Sequence, residues 1–273
     1  MEFKGLLHAH STFSKDGKYN IQQIKEFYKD YDFITITNHY EHCFSKFNEI
    51  LAEIKAENKK LNSIGKKQLI IFGFEYQYNC SHIIFLGMNE EMPDDLEQIK
   101  QVIRQKNPVV ILAHPQLKDL QFMEKSLLDF ADGFELYNSL HNDRHFPAFH
   151  LFKKLRKLQQ KNPKLKAFFG EDFHNGINSD TAIYVTADKL EEKEILMALK
   201  QGNFYVKNKY FTYYSNGKLV YDGRIIFPYV KSYAVGLLQY ASPKFGKVIS
   251  YLPYNSKIKE KLHRCLKLLF DKI

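Results

Sequence analysis

The chain has 273 residues, 44% of them apolar and 26% charged, with a formal net charge of +9. That apolar share supplies a core and excludes a disordered chain. No run approaches the roughly 20 apolar residues of a membrane span, and no apolar stretch follows a basic region as in a secretory signal.

In chain order, "FKGLL" predicts a first strand and "NIQQIKEFYKDY" a helix, with Asn20 as its cap and Ile21, Ile24 and Phe27 at helical spacing. "DFITIT" (32–37) is strand-like, and 44–64 is amphipathic and helical. "QLIIFGF" (68–74) and "HIIFLGM" (82–88) read as strands flanking a short polar connection. "DDLEQIKQVIRQK" is a helix and "PVVILA" (108–113) a strand. "ADGFELY" (131–137) holds a short strand, 149–161 a basic helix, "LKAFFG" (165–170) a strand and "TAIYVTA" (181–187) another. "KLEEKEILMALKQG" closes the series, with Gly202 as its C-cap. Seven main strands alternating with helices predict an α/β fold with a parallel sheet, open or closed into a barrel.

Beyond residue 207 the composition changes. Residues 208–273 carry 12 Lys or Arg against 3 Asp or Glu and half of the 18 tyrosines, whereas 1–207 is neutral. A boundary there predicts a barrel over 1–207 and a basic, Tyr-rich extension over 208–273. "YFTYYSNGKLVYDG" reads as a hairpin around Asn-Gly. "NSKIKEKLHRCLKLLF" places Ile258, Leu262, Leu266 and Leu269 at helical spacing. Such a helix packs on the barrel or on a partner chain, which leaves a homo-oligomer open. Interleaved Tyr and Lys would also suit single-stranded nucleic acid, and a basic amphipathic helix a membrane surface. Three cysteines, Cys43, Cys80 and Cys265, are scattered without CxxC spacing, as reduced thiols are in a cytoplasmic protein.

The polar residues fall at strand ends. His8 and His10 follow the first strand, His39 the second and Glu75 the third; His114 follows "PVVILA", and Asp172 and His174 follow "LKAFFG". Residues i and i+2 of a strand share a face, so "HAH" aims two imidazoles at one point. In α/β barrels the C-terminal strand ends converge on one mouth. A rim of His, Asp and Glu there offers the ligands that Zn, Mn and Fe take from proteins.

With these residues placed, the chain resembles the PHP family, the polymerase and histidinol phosphatase metallohydrolases. The resemblance rests on "HAH" with "SKDG", "ITNH", "FGFE", "HIIFLG", "ILAHP", "FELYN" and "GEDFH", in the family's order over roughly the first three quarters. It implies a distorted (β/α)7 TIM-like barrel with two or three divalent metals (Mn, Zn or Fe) and nine ligands. His8, His10, Glu75 and Asp172 resemble the first site. Glu75 would bridge to a second completed by His82 and His114, and Asp16, His39 and His174 resemble the third. The family's Thr-Asp-His is here Thr37-Asn38-His39, which removes a charge beside a ligand.

The chemistry implied is metal-dependent phosphoester hydrolysis by a hydroxide held between two cations. Arg144, in the loop "ELYNSLHNDRH", is a candidate phosphate clamp because a guanidinium grips phosphate by two oxygens. His141 and His145 share that loop and offer a proton to the leaving group; Lys15, beside Asp16, is a further phosphate contact. The expected activity is on the phosphomonoester of a small metabolite or nucleotide. The alternatives are a nuclease acting on nucleic-acid ends through the basic segment, and a noncatalytic PHP binding module.

Overall fold

The computed structural model describes residues 1–63, 68–79, 81–115, 125–142, 147, 149–176 and 179–222, with 61–63 and 125–127 described by backbone alone. The helix expected near the C-terminus, Arg144 and His145 lie outside the described residues.

One sheet holds eleven described strands: β1 (Glu2–Leu6), β2 (Phe33–His39), β3 (Leu69–Tyr78), β4 (Ser81–Leu86), β5 (Val109–Ala113), β6 (Gly133–Asn138), β7 (Lys166–Gly170), β8 (Ala182–Thr186), β9 (Phe204–Lys207), β10 (Phe211–Tyr214) and β11 (Leu219–Tyr221). Their order is β11-β10-β9-β8-β1-β2-β3-β4-β5-β6-β7. The alternation of strands and helices predicted a parallel sheet, but this one is mixed. β1–β2, β2–β3, β5–β6 and β6–β7 pair in parallel. β3–β4 is an antiparallel hairpin, β4–β5 is antiparallel, and so is β1–β8. The short polar connection after β3 causes this, since a few residues can join antiparallel neighbours but not parallel ones.

The sheet curls into a TIM-like half-barrel. Past β7, Glu171 N–H donates to Leu7 O (2.9 Å), Phe173 N–H to His8 O (3.2 Å) and His10 N–H to Phe173 O (2.9 Å). These bonds zip the "HAH" segment to the "EDFH" segment, so the first and last ligand pairs of the sequence become neighbours. Beneath them lies an aromatic core with Phe134, Phe168, Phe169 and Phe173 all fully buried. Each such side chain contributes about 1.5–3 kcal/mol by burial.

The helices cover the outside. α1 (Ile21–Phe27) begins with a capping box in which Asn20 and Gln23 exchange side-chain bonds. α2 (Tyr40–Cys43) precedes the predicted 44–64 helix, which is found as a 3₁₀ turn (Phe44–Lys46) followed by α3 (Phe47–Ser63). α4 (Leu96–Lys106), α5 (Lys125–Phe130), α6 (Phe149–Gln159) and α7 (Glu192–Gln201) follow, and Gly202 caps α7 at φ 81°. None of the described helices is long and apolar enough to cross a membrane. The hairpin expected around Asn216-Gly217 is β10–β11, and a compact unit runs from Met1 through it to Asp222.

Candidate metal centre

Each strand delivers its polar group by a local device. In β2 the alternation "FITITNH" turns Thr35, Thr37 and His39 to one face. Thr35 Oγ1 accepts His8 N–H (3.0 Å) and Thr37 Oγ1 accepts Ala9 N–H (3.2 Å), which pins the "HAH" backbone against β2. His39 and Glu75 are register partners across β2–β3. Glu75 is not at the end of its strand, as the sequence suggested, because β3 runs three residues further into its hairpin. That hairpin brings His82 to the mouth: β4 runs antiparallel, so its beginning rather than its end lies at the rim. Three of these residues hold left-handed backbone, His8 at φ 65°, His114 at φ 29° and Asp172 at φ 55°. Such conformations cost a non-glycine residue about 1–3 kcal/mol and cluster at functional sites.

The deepest group consists of His8, His10, Glu75 and Asp172. His8 Nε2 and His10 Nε2 each lie 3.4 Å from Glu75 Oε2 and 3.4 Å from Asp172 Oδ1. Donor atoms bound tetrahedrally to one cation at about 2.0–2.1 Å stand about 3.4 Å apart, and each of these four imidazole–carboxylate separations has that length. His8 Nε2, His10 Nε2 and Glu75 Oε2 are buried without a hydrogen-bond partner. Buried polar atoms are rarely left so, and a metal would satisfy all three at once.

On the other side of Glu75, Oε1 lies 2.9 Å from His82 Nδ1 and 3.1 Å from His114 Nε2. Nearer the solvent, Asp16 Oδ2 lies 3.0 Å from His39 Nε2 and 3.2 Å from His174 Nε2, while His39 Nδ1 reaches Glu75 Oε2 at 3.2 Å. All nine residues that the family resemblance singled out therefore meet at one mouth, in three adjoining groups that share Glu75 and His39. His141 stands at the rim, its Nε2 3.5 Å from Asp172 Oδ2, and Lys15 is exposed on the loop beside Asp16.

The electrostatics follow from burying so many ionisable groups together. Burial works against a charge on His8, yet Asp172, Glu75 and Glu135 around it outweigh that and hold its pKa well above the ordinary value. His10 is pushed down to about 4, by burial first and then by its imidazole neighbours. Asp172 and Glu75 are held well below the carboxylate range because the surrounding imidazoles overcome the cost of burial. Glu171, buried next to Asp172, is raised to about 7 by burial although it accepts from Ser139 Oγ, Ser179 Oγ, Ser179 N–H and Tyr28 Oη.

Glu135, within "FELYN", has no role that the sequence alone suggests. This carboxylate is buried, 2.8 Å from His8 Nδ1, and accepts the backbone N–H of His114 and one N–H of Asn138, each at 2.8 Å. It thereby orients two candidate ligands. A lone acid inside the wholly buried run of β6 was the available signal, since buried carboxylates are nearly always paired. Gly170 makes room for it: a Cβ there would overlap Glu135 Oε1. Asn38 touches no ligand side chain directly. Its Oδ1 accepts Ser11 N–H (2.7 Å), Ser11 Oγ–H (3.1 Å) and Ser14 Oγ–H (3.3 Å), and Ser14 Oγ in turn accepts His39 N–H at 2.8 Å.

No family model and no curated protein matches the chain in sequence. Among solved structures, the chain is similar to a two-domain protein from Bacteroides vulgatus that contains a predicted PHP-like metal-dependent phosphoesterase. That match has a TM-score of 0.55 at 16% identity and covers 76% of this chain and 65% of that one. A proposed metal-dependent phosphoesterase from Bifidobacterium adolescentis matches at a TM-score of 0.41 and 14% identity, over 63% and 88% of the two chains. An amidohydrolase from Chromobacterium violaceum with bound sulfate matches at 0.40 and 13%, over 62% and 87%. The likeness to the Bacteroides protein is one of fold, and this chain spans about two thirds of its length. The architecture is thus PHP-like, as the ordered motifs implied.

Proposed function

We propose that this chain is a metal-dependent phosphoesterase that hydrolyses the phosphomonoester of a small metabolite or nucleotide. The observation that carries this reading is the buried cage of His8, His10, Glu75 and Asp172, whose imidazole and carboxylate atoms stand 3.4 Å apart with three of them buried without a hydrogen bond. Divalent cations held there would acidify a water and neutralise charge on a phosphoryl group.

The chain's own residues prepare that chemistry. Glu75 presents Oε2 to the deep cage and Oε1 to His82 and His114, so one carboxylate sets the spacing of two centres. With a cation bound, His8 Nδ1–H would donate to Glu135 and leave the Nε2 lone pair for the metal. His174 Nδ1–H donates to the Asp172 carbonyl (2.8 Å), which in the same way turns its Nε2 toward Asp16. Asp16, His39 and His174 would hold the third cation. Arg144, which follows β6 in the sequence, is assigned the phosphate clamp because a guanidinium grips phosphate by two oxygens.

The test is to purify the chain without chelator, measure its metals, and assay the Mn-loaded protein against phosphorylated metabolites, nucleotides and short oligonucleotides. Hydrolysis of a small phosphomonoester with weak salt dependence is expected. Activity confined to oligonucleotides, falling steeply between low and physiological salt, would favour the nuclease instead. Protein that binds metal but cleaves nothing would favour the binding module.

A further inference from the structure

The sequence suggested His141 as a proton donor. The geometry points to a different role: His141 Nε2 and Asp172 Oδ2 are ligands of the second cation, so that Asp172, like Glu75, bridges two centres. This rests on the reading of the site as a metal centre.

Asp172 already directs Oδ1 into the deep cage, 3.4 Å from both His8 Nε2 and His10 Nε2. Its other oxygen faces away, toward His141 Nε2 at 3.5 Å and His114 Nε2 at 3.9 Å. His114 Nε2 is itself 3.1 Å from Glu75 Oε1. Donor atoms of His114, His141 and Asp172 all lie within 4.8 Å of one another. Two ligands at about 2.0–2.2 Å from one cation are never more than about 4.4 Å apart, and these three carboxylate–imidazole separations all fall inside that limit.

The placement of His141 is built rather than incidental. Asn138, which is buried, uses both ends of its amide. Its Oδ1 accepts Leu140 N–H (3.0 Å) and His141 N–H (3.2 Å), and its Nδ2 donates to Glu135 Oε2 (2.8 Å) and Asp172 Oδ2 (3.2 Å). One side chain thus ties the His141 backbone to the bridging aspartate and to the carboxylate that orients His8. His141 also packs its ring 4.6 Å from that of His114. The Nε2 of this imidazole faces a carboxylate oxygen of the centre. His114 Nε2, which also lies 3.1 Å from Glu75 Oε1, is the donor that links His141 and Asp172 to the second centre.

The experiment uses the full chain and reads the metal rather than turnover. His141→Ala should leave the deep-cage cation in place and weaken binding at the second centre at least about tenfold, measured by titration with Mn(II) and elemental analysis after desalting. In His141→Cys protein loaded with Co(II), a thiolate-to-cobalt charge-transfer band absent from wild type should appear, because only a side chain bonded to the ion produces one. Wild-type metal content and affinity in His141→Ala, together with no such band in His141→Cys, would overturn the assignment. Loss of one limb of the pH–rate profile alongside that result would return His141 to proton transfer. If wild-type protein binds no metal at all, the metal reading itself fails, which is a separate and recognisable outcome. A thermal melt of each variant separates loss of fold from loss of a ligand.

Discussion

The deep cage and the outer cluster use the same residue types in opposite circumstances. The side chains of His8, His10, Glu75 and Asp172 are at most 3% exposed, and their facing atoms stand 3.4 Å apart. Asp16 is 44% exposed, and it approaches His39 and His174 at 3.0 and 3.2 Å, ordinary hydrogen-bond lengths. The outer group can therefore satisfy itself without a cation, by hydrogen bonds and by water. The cage is less able to, because its walls are fixed by the strand backbone and three of its atoms are buried without a hydrogen bond. A centre held open by its surroundings binds tightly; one that collapses on itself must give up those bonds to bind.

The largest expected effect comes from breaking the cage. His8→Ala with His10→Ala should abolish hydrolysis and release the tightly held metal, as elemental analysis would detect. Position at a strand end suggested that the fold would not notice. Both side chains are fully buried, however, and removing His8 takes away the imidazole that Glu75, Glu135 and Asp172 surround. The doublet should therefore also lower Tm, and an unchanged Tm would mean that the carboxylates find other partners.

Next in size is the support of the cage. Glu135→Gln keeps the shape but removes the charge behind His8, and should weaken the deep metal about 10- to 100-fold in a competition titration with a chelator. Gly170→Ala should move affinity the same way by displacing the Glu135 carboxylate. If Gly170→Ala leaves affinity intact, Glu135 does not act through His8.

A smaller effect is expected outside. Asp16→Asn should lose one cation per chain, the one most easily removed from wild type by mild chelation, while the deep metal stays. Simultaneous loss of all metals would show that the outer cluster and the cage form one cooperative site.

The smallest effect is expected at Asn38. Asn38→Asp restores the charge usual in the family, but its contacts are with Ser11 and Ser14, one step removed from His39. Metal affinity should change by less than about tenfold, and a larger change would show that charge here acts over distance rather than through the loop.

How much was legible beforehand differs by element. The capping box at Asn20, the Gly202 cap and the Asn216-Gly217 hairpin are local chemistry, set by residues a few positions apart, and each is found where expected. His82 was another matter. It stands at the start of a strand, so strand-end position alone would have passed over it, and only the antiparallel turn of β4 brings it to the rim. Glu135 was visible as an acid in an apolar strand, but nothing local says that its partner is 127 residues away.

The α/β alternation, the caps and turns, and the ordered set of His, Asp and Glu could be read from the chain alone, because periodicity and residue chemistry act at short range. The mixed sheet, the zipping of "HAH" to "EDFH", and the choice of which oxygen of Glu75 and of Asp172 faces which imidazole belong to the fold. The physical reason is that strand direction and register arise from packing between segments far apart in the chain, and ligand geometry is fixed only when they meet.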